Sequence, residues 1–232
     1  MSSSNATAGA PRSTDDAILD AAADLVVHLG VRRTQLAEIA RRAGVSRPTV
    51  YRRWPDVQAV IGALLTREIM ATLESTSLGV PDRGTPGDRG TAVDRETAVD
   101  RETSVDQEVF AGREAFMGRE AFVDQVVEVA VRLRDHPVLG ALLHSDDSDL
   151  LLQYVVERLG ESQRGLLEAL RTGIALGQAD GSVRAGEPTE LAAMVLLIAQ
   201  STVQSHRMVA SLLPEAAWRR ELARALNGYL AP

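Results

Sequence analysis

Seven arginines lie close together in the first quarter of the chain. They are Arg32, Arg33, Arg41, Arg42, Arg47, Arg52 and Arg53, and Glu38 is the only acid between the first and the last of them. With seven positive charges against one negative charge, this stretch carries a net charge of +6, whereas the whole chain has a formal net charge of -7. Guanidinium groups bind phosphate and guanine, so this local charge inversion indicates a polyanionic partner.

The residues between these arginines have the spacing of two short helices joined by a tight turn. Apolar residues of the first helix recur at helical intervals, namely at Leu36, Ile39, Ala40 and Ala43. Gly44 then interrupts the pattern, Ser46 can cap a second helix, and Val50 lies on the inner face of that helix. This arrangement is a helix-turn-helix, and together with the local positive charge it predicts binding to duplex DNA.

The outward side chains of the second helix are the candidate DNA contacts. With Val50 facing inward and a turn of about 100 degrees per residue, Arg52 points almost directly outward. Arg47 and Arg52 are candidate base readers, because a planar guanidinium can pair with guanine O6 and N7. The predicted DNA-contacting set is Arg33, Thr34, Arg47, Pro48, Thr49, Tyr51, Arg52 and Arg53, of which Thr34, Tyr51 and Arg53 are expected to bond phosphates. The alternative interpretation of this set is that its members are ordinary solvated side chains on an exposed helix.

Flanking helices are expected to support this motif. A first helix is predicted to begin at a cap on Thr14 and to end at Gly30, with an apolar stripe of Ile18, Ala22, Leu25, Val26 and Leu29. Thr34 is expected to cap the helix that contains Leu36 and Ile39. Trp54 is expected to return to the core, and a fourth helix is predicted from Val57 to Leu73 or beyond.

The run from Ile18 through Leu65, with AGVSRPTVYRRWPD at its centre, resembles the DNA-binding domain of the TetR family of one-component transcriptional regulators. The resemblance is carried by the Ala-Gly-Val-Ser turn, by Thr-x-Tyr in the helix that Ser46 caps, and by an aromatic residue and a proline before the helix that begins at Val57. It implies a repressor that forms a homodimer through its last two helices and binds a palindromic operator. A small-molecule effector is expected to release it from the DNA. Val57 departs from the family, which often has a phosphate-binding lysine there, so Arg52 or Arg53 is expected to compensate.

Composition and periodicity predict an all-α fold. Hydrophobic residues make up 45% of the chain but aromatic residues only 3%, a balance that suits close-packed helices. We divide the chain into a disordered tail (1–13), the helix-turn-helix domain (14–56), a linking helix (57–78), a low-complexity insert (79–108) and a helical domain (109–232). The insert consists of six-residue repeats, each with too little apolar surface to bury, so disorder is favoured over a solenoid-like structural repeat.

Five helices are predicted in the helical domain, which the resemblance assigns to ligand binding and dimerisation. They run from about Arg119 to before Pro137, from Pro137 to Leu143, over 149–177, from Pro188 to Leu212 and from Pro214 to Leu230. The segment LAAMVLLIAQ is apolar on most sides, so it is expected to pack on its own subunit and on a second one. Polar residues follow it at Gln200, Ser201, Thr202, Gln204, Ser205 and His206, and they either line an effector pocket or lie at the dimer interface.

The sequence offers little for other chemistry. There is no cysteine, and His136, His144 and His206 are scattered, so no catalytic residue, metal site or cofactor is predicted; the acids after His144 indicate a solvated loop. No signal peptide or membrane span is evident, which favours a cytoplasmic protein. The effector, if there is one, is expected to be an apolar small molecule bound among Val126, Leu133, Leu159 and Met194. The rival interpretation is a helical small-molecule-binding protein or enzyme without DNA binding.

Overall fold

The computed structural model describes residues 13–76, 78, 118–143 and 161–232 of the 232-residue chain. Every regular element in these ranges is helical, which confirms the all-α prediction. The helices are α1 (Thr14–Leu29), α2 (Leu36–Arg42), α3 (Arg47–Arg53), α4 (Val57–Thr76), α5 (Gly118–Asp135), α6 (Pro137–Leu143), α7 (Glu161–Ala179), α8 (Pro188–Val209) and α9 (Glu215–Leu230), with a 3-10 turn at Val31–Arg33. The predictions for residues 1–12, the insert, and residues 109–117 and 144–160 lie outside the described residues.

The two ends of α1 correct the sequence prediction. Ser13, not Thr14, is the N-cap, because its backbone is extended and its Oγ accepts a hydrogen bond from the backbone N–H of Asp16. The Asp16 carboxylate in turn accepts from the backbone N–H of Ser13, which completes a capping box. Leu29, which was expected to be buried, is 45% exposed, whereas Val31 is buried. The turn at Gly30, and not helical periodicity, decides which side chain enters the core there.

Other helix ends also differ from the prediction. Thr34 does not cap α2: the N-cap is Gln35, and Thr34 closes the preceding 3-10 turn with its backbone N–H on the carbonyl of Val31. α8 ends at Val209 instead of Leu212. Pro214 is the N-cap of α9 and not a residue of its first turn. Each difference is a local turn that the apolar spacing does not record.

The first compact unit contains the described residues up to Arg67 and α6. Its core is built from the inner faces of α1, α2, α3, the first half of α4, and α6. Its members include Ile18, Leu25, Val26, Leu36, Ile39, Val50, Val60, Ile61, Leu64, Val138 and Leu142. The domain boundaries drawn from the sequence stay a prediction, but the packing of Val138 and Leu142 joins α6 to the core of the helix-turn-helix.

The second compact unit contains the rest of α4 together with α5, α7, α8 and α9. α5 is buried on most of its circumference, because Phe122, Val123, Val126, Val127, Val129, Ala130 and Val131 all lie in the core. The other helices contribute one stripe each, including Leu170 and Ile174 of α7, Val195 of α8, and Leu226 of α9. α5 is therefore the central helix of this unit, with the others packed around it.

A close approach between α5 and α7 depends on Gly173. A Cβ atom at that position would lie 2.2 Å from Cε2 of Phe122, whose side chain is only 3% exposed. We expect Gly173→Ala to lower the free energy of unfolding by about 1–3 kcal/mol, because the buried ring has little room to move. Chemical denaturation measures the change.

Gly228→Ala is the matched control. Gly228 is an exposed glycine of α9, and a Cβ there meets nothing within 4 Å, so the same substitution should stabilise the protein by up to about 1 kcal/mol through helix propensity. Equal and small effects of the two substitutions would show that α5 and α7 are not packed this closely.

Candidate nucleic-acid interface

α3 is a seven-residue helix whose two ends are well defined. At its start Ser46 has an extended backbone, and its Oγ accepts a hydrogen bond from the backbone N–H of Thr49. Pro48 lies in the first turn, where its missing N–H has no partner within the helix to lose. At its end, the backbone N–H of Trp54 donates to the carbonyl of Val50. The predicted Ser46 cap and the inward position of Val50 are confirmed.

The turn before α3 needs a glycine. Gly44 has φ +68°, a left-handed conformation that other residues rarely adopt, and a Cβ there would meet nothing within 4 Å. Backbone conformation, and not lack of space, is therefore the requirement. The next residue, Val45, donates its backbone N–H to the carbonyl of Ala40 and packs against the first core. This fixes where α3 leaves α2.

Most of the predicted contact residues lie on the surface. Arg33, Arg47, Pro48, Arg52 and Arg53 are exposed, Tyr51 is 52% exposed, and Thr49 is half-buried with its Oγ1 2.7 Å from the Oγ of Ser46. Val50 is fully buried on the opposite face, and Trp54 is partly buried against the first core. The helix therefore presents its polar and basic residues on one side.

Thr34 is the exception in the predicted set. Its side chain is 4% exposed, and its hydroxyl donates a hydrogen bond to the backbone carbonyl of Gly30 at 2.9 Å. The hydroxyl is therefore used inside the turn between α1 and α2. Thr34 is not part of the proposed interface, because a phosphate oxygen could reach its buried side chain only if the turn opened.

The structure reveals carboxylate partners that the local charge count missed. Asp15 and Asp24 of α1 pair with Arg53 and Arg42, the latter at 3.4 Å. Within α2, Arg41 pairs with Glu38 at 2.5 Å, and its hydrogen bonds hold the pKa of the Glu38 carboxyl below its usual value. The spacing of residues within α1 gave no signal for the pairing of Asp15 and Asp24, because these two acids lie far from their arginines along the chain.

Three arginines of the predicted DNA-contacting set have no carboxylate partner among the described residues. Arg33, Arg47 and Arg52 are exposed and have no ion pair with any residue that the structure describes. Two of them, Arg47 and Arg52, belong to α3. Within the predicted set, the positive charge that is available to a ligand therefore lies on α3 and on the turn before α2.

The start of α4 carries no positive charge at Val57. Its side chain is half-buried against the first core, and the preceding Asp56 accepts a hydrogen bond from the backbone N–H of Ala59 at 2.8 Å. An acid thus lies beside the helix N-terminus, where it is favoured by the helix dipole. Any phosphate contact near this end must come from another residue.

The second unit contains a polar cluster around the buried Trp218. The guanidinium carbon of Arg134 lies 5.0 Å from the centre of the Trp218 ring, and the ring of His206 packs edge-on at 5.8 Å. Arg134 also donates two hydrogen bonds to Asp135, which lower the pKa of that carboxyl; the charge of Arg219 acts in the same direction. These contacts join the end of α5 to α8 and α9.

The histidines considered as metal ligands and the residues expected in a pocket wall lie only partly within the described residues. Among the described residues there is no group of three or more metal-ligand side chains; His144 lies outside them. Met194, expected in a pocket wall, is 43% exposed, because α8 buries its opposite face, whereas Val126 lies in the second core. Ser201, Gln204 and Ser205 are exposed.

Large apolar side chains are exposed along α8 and just after it. Leu197 is 59% exposed, and Met208 and Leu212 are each 82% exposed. Within a single chain the segment LAAMVLLIAQ is buried on one side only, and its packing on a second subunit stays a prediction. Leu191, Ala192, Val195 and Leu196 face the core, and the opposite face remains apolar and open.

Comparison with known proteins agrees with this geometry. The family model described as bacterial regulatory proteins of the tetR family matches residues 18–64, which include α2 and α3. A relative from Mycobacterium bovis, an uncharacterized HTH-type transcriptional regulator, is 43% identical over 217 residues, covering 94% of this chain and 94% of the relative. The chain belongs to the TetR family. As a TetR-family protein it is a DNA-binding transcriptional regulator, and the family is not one of enzymes.

Solved structures share the TetR fold over almost the whole chain. FadR from Bacillus halodurans, a fatty acid degradation regulator, has a TM-score of 0.58 at 15% identity and covers 95% of this chain and 97% of its own. SmeT, the repressor of a Stenotrophomonas maltophilia multidrug efflux pump, has a TM-score of 0.55 at 18% identity and covers 94% and 89%. At these identities the likeness concerns the fold. No helix of the described residues is long and apolar enough to cross a membrane.

The cap on α3 can be tested by substitution. Ser46→Ala removes the Oγ that accepts from Thr49, and we expect a loss of about 0.5–2 kcal/mol in the free energy of unfolding. Ser46→Asn should retain most of the stability, because its side-chain oxygen can accept the same bond. Ser205→Ala, at an exposed serine of α8, serves as the control. Equal stability of the alanine and wild-type proteins would contradict the role of this cap.

Proposed function

We propose that this TetR-family protein is a repressor that binds a palindromic operator as a homodimer and is released by a small-molecule effector. The observation that carries the DNA-binding part is the outer face of α3, which is short, capped and basic in a chain of net charge -7. An acidic remainder is repelled by DNA, so only this end of the chain can approach it. Binding to chromosomal DNA implies that the protein acts in the cytoplasm.

Residue roles follow from exposure and from existing ion pairs. Arg47 and Arg52 have no ion pair within the described part of the chain, so their guanidinium groups are available to read guanine in the major groove. Pro48 and Thr49 lie beside them at the start of α3 and are proposed to touch the base edges. Tyr51 is proposed to bond phosphate, as are Arg33 and Arg53.

Substitution of the base-reading arginines tests this assignment. Arg47→Ala and Arg52→Ala should each weaken binding to the preferred sequence by about 1–3 kcal/mol and relax the choice of one base pair. Thermal stability should be unchanged, because both side chains are exposed. The preferred sequence comes from selecting bound sites from random DNA with the wild-type protein, and fluorescence anisotropy then gives the affinities.

Arg164→Ala provides the control, since it removes the same charge from an exposed position on α7. It should leave DNA binding unchanged. If the wild-type protein shows no salt-sensitive binding to duplex DNA at low salt, the proposed function is wrong, because a basic DNA-binding surface must lose affinity as salt rises. That result would favour a helical protein that binds only small molecules.

Dimerisation through α8 and α9 is supported by the open apolar face of α8. Leu197 and Met194 lie on that face, and apolar patches of this kind are usually covered in the functional assembly. Two-fold symmetry would place one α3 of each protomer in successive major grooves of a palindromic site.

A single charge on the apolar face should disrupt the dimer. We expect Leu197→Glu to shift the protein to monomer in sedimentation equilibrium, because the carboxylate would lose its hydration in the interface. Val27→Glu is the control, since Val27 is also exposed, at 41%, but belongs to α1. A dimer that survives Leu197→Glu would locate the interface elsewhere.

An effector site in the second unit is supported by the fold that this chain shares with regulators solved with small molecules. FadR of Bacillus subtilis, which shares the fold with a TM-score of 0.58 at 15% identity, was solved with stearoyl-CoA, and SmeT was solved with triclosan. We therefore propose an apolar small-molecule effector for this chain. To release DNA, it must bind more tightly to a state that cannot bind the operator. α4 connects the two units, since the division between them falls after Arg67.

A further inference from the structure

The acids of α1 are distributed over the other helices of the first unit. Asp24 pairs with Arg42 of α2, Asp15 with Arg53 of α3, and Asp20 with Arg67 of α4 at 2.8 Å. Two of these three arginines, Arg42 and Arg53, belong to the helix-turn-helix. α1 therefore supplies one carboxylate to each of α2, α3 and α4.

The pair between Asp15 and Arg53 lies at the proposed DNA surface. The Asp15 side chain is 30% exposed and the Arg53 side chain is 62% exposed, so the arginine projects further into solvent than its partner. Only Nη2 of Arg53 bonds the Asp15 carboxylate. Arg53 is the last residue of α3, and no basic residue at the start of α4 can replace it, because Val57 occupies that position.

We propose that Asp15 is an internal counter-ion that competes with DNA phosphate for Arg53. The inference rests on the proposed DNA binding and adds a residue outside the helix-turn-helix to its control. The carboxylate neutralises the guanidinium before DNA arrives, and a phosphate placed next to Arg53 is also repelled by the Asp15 charge. Arg53 therefore contributes less to DNA affinity than its exposure and charge imply.

A competing carboxylate and a positioning carboxylate predict opposite results. If Asp15 competes, removing its charge releases Arg53 and strengthens DNA binding. If Asp15 instead holds Arg53 in the right place for a phosphate, removing the charge weakens binding. The salt dependence separates these from a purely structural role, because it reports how many phosphates the protein neutralises.

The experiment measures binding of the full-length protein to a mixed-sequence DNA duplex by fluorescence anisotropy over a range of salt concentrations. No operator is needed, because sequence-independent binding is carried by the phosphate contacts. Asp15→Asn should tighten binding at low salt by a factor of about 2 to 5, the range of exposed ion pairs. It should also steepen the slope of log affinity against log salt by up to about 0.9.

The double variant gives the decisive comparison. Arg53→Ala should weaken binding by less than a factor of about 2 in the wild-type background and by about 2 to 5 in the Asp15→Asn background. Asp20→Asn is the matched control: it removes the same charge from the same helix, but its partner Arg67 is on α4. Melting temperatures confirm that each variant is folded.

Several outcomes overturn the inference. Unchanged or weaker binding of Asp15→Asn rules out competition, and so does an equal gain from Asp20→Asn, which would show a general charge effect. Equal effects of Arg53→Ala in the two backgrounds would show that Asp15 and Arg53 act independently. Failure of the wild-type protein to bind the duplex in a salt-sensitive manner overturns the proposed function itself, and is distinguishable because the other results require wild-type binding.

Discussion

The proposed DNA-binding surface depends on a few buried side chains of α2 and α3, two helices that are too short to be stable alone. α2 and α3 have seven residues each, whereas isolated helices shorter than about 12–15 residues are marginal in water. Ile39 and Val50 are fully buried and fasten the two helices to α1 and α4. The cap on Ser46 and the left-handed Gly44 then set their ends. The orientation of the exposed arginines is therefore a property of the whole first core.

The charges in that unit are less one-sided than their order along the chain indicates. Acids of α1 reach arginines on α2, α3 and α4, so a net positive stretch in the sequence becomes a surface that carries both paired and unpaired arginines. This arrangement separates two tasks: the pairs help to hold neighbouring helices together, and the remaining arginines are left for a ligand. An ion pair on the surface contributes little to stability, so its larger effect is on the local field.

Local patterns in the sequence predicted most of the helices and the face of α3, because they depend on residues a few positions apart. Ser46, Pro48 and Val50 specify the start and the inner side of α3 whatever lies around them. Two contacts that sequence reasoning missed are between distant residues. The pairing of Asp15 with Arg53 and the place of α6 follow from which helices pack together, and periodicity within one helix carries no information about its neighbours. The bond of the Thr34 hydroxyl to Gly30 is local, but it belongs to a turn that helical periodicity does not describe.

The position of α6 has a consequence for how the protein is made. Val138 and Leu142 complete the core of the first unit, although they follow Arg67 by many residues and α5 lies between them and α4 in the chain. On the ribosome, α1 to α3 emerge long before α6 does. Part of the apolar surface of the first unit therefore stays uncovered until α5 and α6 have been synthesised. Folding of this unit is for that reason a late event for an N-terminal domain.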